Sequence, residues 1–479
     1  MRQTKIICTM GPASDPPDML DALAQTMDVA RFNFSHDTHE KQAVRLSRVR
    51  EAAKKAGRPI AMLLDTKGPE IRTGLLENHA PVMLFEGEPF TLTAEDAVGN
   101  SHQVSLSYKE LHKDIRPGDL ILIDDGLLAL AVDHIEGRNI HCIVSNGGIL
   151  GEQKGVNIPG IPIRLPSLTE QDIADIRFGM EHHFDFIAAS FVRDASAVEK
   201  IRALLTEGNS PMKIIAKIES AEGVSHFDEI LDAADGIMIA RGDLGVEVPA
   251  QTLPHLQKEM IRKCNYKGKL VITATQMLDS MIGNPRPTRA EVTDVAAAVE
   301  NGTDAVMLSG ETASGKYPDK ALAMMASIVA YAEQFLTHNL FRYRDMEQSL
   351  YDSVSNTTSR TSVTAAHELH ARAIIAPTLS GNTAGLLSKY RPDADIFALS
   401  PNPFVVRQMM LYWGVHPVLA KRNISTDALY DESIRKLKKE NLIKAGDICV
   451  ITAGIPSSLP NTPHPVTNAM RIIQVQDDP

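Results

Sequence analysis

The chain alternates short, almost wholly apolar runs with longer amphipathic segments. Eight such runs, at 5–9, 29–33, 60–65, 186–190, 213–217, 236–240, 270–273 and 305–309, end in polar residues and lead into helical patterns. Runs without a polar face suit parallel strands covered on both sides by helices. Between them, apolar positions at helical spacing predict helices over 40–56 and 196–207. Eight strand–helix units predict a closed (β/α)8 barrel, with an open doubly wound sheet as the alternative. The run ends favour the barrel. Asp65-Thr66-Lys67, Lys217-Ile218-Glu219, Arg241-Gly242-Asp243, Thr275 and Ser309-Gly310-Glu311 all stand where strands stop, and a barrel gathers its chemistry on that face. A dinucleotide-binding sheet would show GxGxxG after its first strand, where this chain has Gly11-Pro12-Ala13-Ser14.

The rhythm changes twice. Over 73–165, short alternating stretches are broken by turns at 85–88, 116–119, 124–126 and 136–138, which predicts a β-rich domain inserted in a barrel loop and hinged over the catalytic face as a lid. From 340 onward, a helix through 361–370 and strands at 373–376, 396–399, 417–419 and 448–452 predict a compact α/β unit. The expected division is therefore a barrel of 1–72 and 166–339, an insert of 73–165, and a third domain of 340–479.

Length and composition fit that plan. The chain has 479 residues, 43% hydrophobic and 23% charged, with 49 Lys and Arg against 60 Asp and Glu for a net charge of −11. The balance excludes collagen and disulfide-stapled miniproteins, and it argues against a nucleic-acid coat protein, which needs a basic face to displace counterions. Cys8, Cys142, Cys264 and Cys449 form no CxxC pair, so free thiols in a reducing compartment are expected. No apolar stretch reaches the ~18 residues of a membrane helix and the start does not read as a signal peptide. The expectation is a cytoplasmic protein without membrane or nucleic-acid partners.

Candidate chemistry lies at the run ends. Lys217 and Glu219 stand two apart and so share a face, and Asp243 follows the next run. Two carboxylates on neighbouring strands can hold a hard divalent ion, and a lysine beside them suits phosphoryl or enolate chemistry. A buried structural ion pair of Lys217 with either acid is the other reading. Arg31, Asn33 and Ser35 alternate onto one face, suited to a phosphate and a cation or simply to a hydrogen-bonded strand end. The segment 65–72 packs charged and hydroxyl groups around Gly68-Pro69, a density that favours a ligand site. Residues 310–316 match GxxxxGK, but Tyr317 lacks the small hydroxyl of a Walker loop, so a plain strand-to-helix connection is expected. Thr378-Leu379-Ser380-Gly381-Asn382-Thr383 follows an apolar run, where hydroxyls and free N–H groups at a helix start serve either an anion or ordinary capping.

Taken in order, Thr4-Lys5-Ile6, Gly11 to Ser14, Arg31 to His36, Leu64 to Arg72, Lys154 to Asn157, Lys217-Ile218-Glu219, Ala240 to Gly245, Thr273 to Met277, Asn284 to Glu291 and Met307 to Thr312 resemble the pyruvate kinase family from end to end. The resemblance implies a TIM barrel with a β-barrel-like lid and a C-terminal α/β regulatory domain, and transfer of the phosphoryl group of phosphoenolpyruvate to ADP, giving pyruvate and ATP in glycolysis. It implies that Lys217 and Thr275 are catalytic and that Arg31, Gly242, Asp243 and Thr275 bind substrate. Asn33, His36, Arg72 and Lys154 would serve the nucleotide. Glu219 and Asp243 would hold Mg2+ or Mn2+, and Asn33, Ser35, Asp65 and Thr66 would ligate K+. Family members with glutamate at the position of Glu70 generally need K+. Thr378, Ser380, Gly381, Asn382 and Thr383 match the loop for a phosphorylated effector, and a homotetramer is implied. Two departures stand out: 454–468 lacks the glycine-rich run common in fructose-bisphosphate-responsive members, and Ser220 replaces a frequent Asn. A non-catalytic metabolite-binding regulator would be expected to lose part of the Lys217, Glu219, Asp243 and Thr275 set. A phosphoenolpyruvate-type lyase would have no use for Lys154 or the potassium face.

Overall fold

A computed structural model describes residues 1–161, 163–336, 353–421, 426–454 and 466–477. The predicted third-domain start at 340 and most of the 454–468 stretch lie outside the described residues.

All eight apolar runs form strands: Lys5–Met10, Val29–Asn33, Ala61–Asp65, Phe186–Ala189, Lys213–Ile218, Gly236–Ala240, Leu270–Ala274 and Ala305–Leu308. Each pairs in parallel with the next, and the last closes on the first through Lys5 opposite Ala305. That closure removes the open-sheet alternative. Strand alternation then sorts the side chains. Ile7, Val29, Leu63, Phe186, Ile215 and Met238 fill the barrel. Their neighbours Ile6, Ala30, Leu64, Ile187, Ile214 and Ile237 pack outward against the surrounding helices. The expected helices run His39–Ala56 and Ala195–Glu207.

The inserted segment forms a curled six-stranded sheet of Val156–Asn157, Leu120–Ile123, Leu128–Glu136, Asn139–Asn146, Pro89–Thr93 and Gln103–Ser105, in that spatial order. A two-stranded ribbon, Val82–Leu84 with Gly148–Leu150, lies beside it. Its core of Phe90, Leu92, Ile121, Leu130 and Ile140 is separate from the barrel's. Because the insert leaves the chain after the third barrel strand, it begins at the end of the barrel where the strands finish.

The C-terminal unit is a five-stranded sheet ordered Val415–Leu419, Asp395–Ser400, Ala373–Pro377, Ile448–Ala453 and Ala469–Gln474. Four strands are parallel and match the expected ones; the fifth is an antiparallel edge strand absent from the sequence reading. The edge position leaves most of its side chains exposed, so it carries no buried apolar run. This unit docks on the barrel's opposite end. Lys5 Nζ donates to the Val415 carbonyl at 2.6 Å, Lys213 Nζ to the Tyr412 hydroxyl at 2.6 Å, and Arg391 pairs with Asp304 at 2.7 Å. Lys5, Lys213 and Asp304 stand at strand beginnings.

Candidate active site

The alternation that fills the barrel also builds its top layer. Thr9, Arg31, Asp65, Ser190 and Lys217 continue the inward-facing register of their strands, and each falls where hydrophobic filling stops. Asp65 lies at the centre. Arg31 Nε donates to its Oδ2 at 2.6 Å and Lys217 Nζ to its Oδ1 at 3.1 Å, while Arg31 also reaches the Thr9 hydroxyl at 3.0 Å. Lys217 further donates to Ser190 Oγ at 2.7 Å and pairs with Glu219 Oε1 at 2.9 Å. The ion pair weighed against a catalytic role is thus present. It also holds an ammonium at the strand ends facing the mouth of the barrel.

Burial and neighbouring charge set the protonation of these groups. Burial alone would depress the Lys217 ammonium, but Asp65 and Glu219 hold it above the ordinary lysine range. Burial would raise Asp65, yet Arg31 and Lys217 keep it below the usual carboxylate range. Glu219 behaves differently. Burial pushes it up to about 7 despite Lys217, and the nearby Asp243 adds to the rise. Asp243 is itself raised by burial, with Asp125 and Glu70 as further negative neighbours. The site therefore carries more buried carboxylate than its lysine neutralises.

Local structure explains how Glu219 and Asp243 are presented. Glu219 follows its strand directly, and its Oε2 accepts the Phe191 N–H at 2.6 Å. Ser220 then caps the helix Ala221–Ser225 by accepting the Gly223 N–H at 3.1 Å, a task that Ser performs as well as Asn. Asp243 lies in the first turn of Arg241–Glu247. The Gly242 N–H of that turn donates to Thr275 Oγ1 at 2.7 Å, and Thr275 donates to the Ala274 carbonyl at 2.6 Å.

Thr275 has φ +66°, a conformation costly for a β-branched residue, by roughly 1–3 kcal/mol. Arg241 holds it there by donating to the carbonyls of Ala274 (3.2 Å) and Thr275 (2.7 Å), and Arg241 is itself fixed by Asp294 at 2.6 Å. In the Asn284–Glu291 motif, Glu291 forms a capping box with Thr288 and also accepts from the Ser280 N–H and hydroxyl.

The residues expected from the resemblance to ligate K+ adjoin this layer. Asn33 stands in register with Asp65, and its Oδ1 accepts the Ser35 N–H at 3.0 Å. Thr66 Oγ1 accepts the Ser190 N–H at 3.2 Å. His36 is exposed just beyond, its carbonyl accepting from Gln42. Across the mouth, a cleft of 660 Å3 between barrel and insert is lined by Glu70, Arg72, Asp124, Asp125, Lys154 and Asp243, among others; Lys217 and Thr275 are not in its walls. Lys154 pairs with Asp124 at 2.9 Å and Arg72 with Glu70 at 2.6 Å. At residues 310–316 there is a short helix, Gly310–Ala313, where Glu311 accepts the N–H groups of Leu278 and Ser309. This is the plain connection expected in place of a P-loop.

Residues 1–322 match the family "Pyruvate kinase, barrel domain" and 356–473 match "Pyruvate kinase, alpha/beta domain". The chain belongs to the pyruvate kinase family. The pyruvate kinase of Geobacillus stearothermophilus is 47% identical, covering 99% of this chain and 81% of that protein. That of Clostridium acetobutylicum is 44% identical over 99% of this chain and all of its own length, and that of Sporosarcina psychrophila is 44% identical over all of this chain and 81% of its own. Pyruvate kinases are phosphotransferases that convert phosphoenolpyruvate and ADP to pyruvate and ATP, and this chain is such an enzyme. The family is generally dependent on Mg2+ and K+. Among the described residues no helix is long and apolar enough to cross a membrane.

Sequence reasoning did not single out Ser190, Thr9, Asp124, Asp125 or Asp294. Ser190 and Thr9 had a usable signal, since each is the polar end of an inward-facing register. Asp125 acts on Asp243 of the barrel, Asp124 meets Lys154 within the insert and Asp294 meets Arg241 from a later helix, all at sequence separations the linear pattern does not carry.

Proposed function

We propose that the strand-end cluster transfers the phosphoryl group with Lys217 as its central cation. The carrying observation is the buried Lys217 ammonium, held within 3.1 Å of Asp65, Ser190 and Glu219 at the mouth of the barrel. A fixed cation in a water-poor site stabilises charge that develops on the moving phosphoryl oxygens without reorganising first. Arg31, locked by Asp65 and Thr9, holds the phosphate of phosphoenolpyruvate. The Gly242 N–H and Thr275 hydroxyl, now bonded to each other, bracket the carboxylate and enolate carbon, so substrate competes for that bond.

Glu219 and Asp243 suit a divalent ion because burial leaves both raised and only partly neutralised. Bound there, Mg2+ or Mn2+ offsets the charge of the phosphoryl and enolate oxygens. Asn33, Ser35, Asp65 and Thr66 stand at or just past two paired strand ends, and their oxygens suit K+. Asp65 keeps lone pairs for it while serving Arg31 and Lys217. Arg72 and Lys154 line the cleft on the insert side and reach the nucleotide phosphates, and Asn33 and His36 serve the nucleotide from the barrel. The insert thereby acts as a lid that brings Lys154 to the site.

The C-terminal loop supports a regulatory reading. The Gly381 N–H bonds Thr378 Oγ1 at 3.0 Å, Gly381 has φ +85°, and Ser380 and Asn382 are exposed at the start of helix Asn382–Lys389. Thr383 bonds Thr467 at 2.8 Å. A phosphorylated effector binds there, and the protein assembles as a homotetramer in the cytoplasm.

The test is pyruvate formation from phosphoenolpyruvate with and without ADP, Mg2+ and K+. Turnover is expected to require all three. Pyruvate released without ADP refutes phosphoryl transfer, and unchanged turnover with K+ replaced by a large organic cation refutes the potassium face.

A further inference from the structure

The inserted sheet carries a cluster that phosphoryl transfer does not use. Its central hairpin pairs Leu128–Glu136 with Asn139–Asn146, and a bulge between Val132 and His134 sets His134 directly opposite His141. Without the bulge, strict alternation would turn His134 inward with Val132. With it, the two imidazoles stack on the outer face, centroids 4.5 Å apart and 14° from parallel. Glu136, two residues along the same strand, brings its Oε2 to 3.9 Å from His141 Nε2. One ligand atom from each of the three side chains lies within 4.8 Å of the others.

The surrounding polar groups fix which ring nitrogens are available. His141 Nδ1 meets the Thr91 hydroxyl at 3.2 Å, and His134 Nδ1 meets Asp133 Oδ2 at 2.8 Å. Each ring therefore has its Nε2 left for a ligand. His141 Nε2 is also buried without a hydrogen-bond partner, a state that costs roughly 1–3 kcal/mol unless something binds there. Metal-binding histidines are commonly oriented in this way, by a carboxylate or hydroxyl on the second nitrogen. Two imidazoles and one carboxylate suit a borderline divalent ion rather than Mg2+. On one Zn2+ the donors would stand roughly 3.5 Å apart, given bonds near 2.1 Å; small side-chain rotations reach that from the present spread.

We infer that His134, Glu136 and His141 form a zinc-class metal site on the inserted domain, separate from the phosphoryl-transfer centre. The hairpin strand runs eight residue steps from Leu128 to Glu136, about 26 Å at 3.3 Å per residue, and the turn bearing Asp124 and Asp125 is at its other end. The metal joins two strands across the bulge and ties down the hairpin tip.

The test is Zn2+ titration of the full-length protein in excess Mg2+, which keeps zinc from the carboxylate site, read by competition with a chromophoric chelator. One zinc per chain is expected, lost in His134→Ala/His141→Ala, with affinity lowered on the order of tenfold in Glu136→Gln. Co2+ substitution should give a visible absorption band that vanishes with the double variant. If the His141 change disturbs folding by circular dichroism, His134→Gln alone, at an exposed position, reports the same loss. Basal turnover of the variants without zinc should match the parent. Equal zinc binding by parent and variants, or no zinc retained by the parent, overturns the inference.

Discussion

Replacing Lys217 by Met removes the ammonium but keeps most of its buried stem, which isolates charge from packing. The lost cation sits 3.1 Å from Asp65 and 2.9 Å from Glu219. At an effective dielectric of 20, each contact is a gross attraction of about 5 kcal/mol, much of it offset by the cost of burying the charges. Asp65 keeps Arg31, so the imbalance falls on Glu219. That group lies at about 7 with the lysine present, against 4.5 for an ordinary glutamate, and must rise further without it. The folded parent binds the extra proton between about 4.5 and about 7, so this group erodes stability as pH climbs through that window and no further above it. In the variant the window extends upward. The stability gap between parent and variant should therefore widen above pH 7 by up to about 1.4 kcal/mol per pH unit. Thermal melts of the metal-free proteins at pH 6, 7 and 8 measure this. In coupled pyruvate assays, kcat should fall by about 100- to 1000-fold or more, with phosphoenolpyruvate binding partly retained by calorimetry. A gap that does not change with pH would refute the protonation argument, and near-parental kcat would refute the role of Lys217.

Two further changes probe the scaffold around the site. Asp294→Ala frees the Arg241 guanidinium that anchors the strained Thr275; kcat should drop on the order of tenfold with KM for phosphoenolpyruvate little changed, and an unchanged kcat would show that Arg241 needs no such anchor. Thr288→Ala removes half of the capping box at Arg289–Asn301, which should cost about 1 kcal/mol in unfolding experiments and leave the kinetic constants alone.

The legible and illegible parts of this molecule divide along a physical line. A barrel strand is buried on both faces by its own sheet and helices, so its apolar run is written locally, and all eight could be found from their composition. The same register that places Ile7, Leu63 and Ile215 in the lumen carries Thr9, Asp65 and Lys217 to its rim, so the strand ends were readable as chemistry. The edge strand Ala469–Gln474 was not readable because its environment comes from one neighbour and leaves most side chains in solvent. The raised state of Glu219 and Asp243 was likewise invisible. In both it arises first from burial and then from like charge that the fold brings near: Asp243 for Glu219, and for Asp243 both Asp125, on a turn of the insert more than a hundred residues away, and Glu70. The same separation gives the insert its importance. Arg72, Lys154 and Asp125 bring both signs of charge to the cleft, and Asn157 of the insert donates to Glu247 of the barrel at 3.0 Å. Movement of the insert would change the charge felt by Asp243 as well as the access of water, coupling closure to the electrostatics of transfer through contacts that neither domain makes alone.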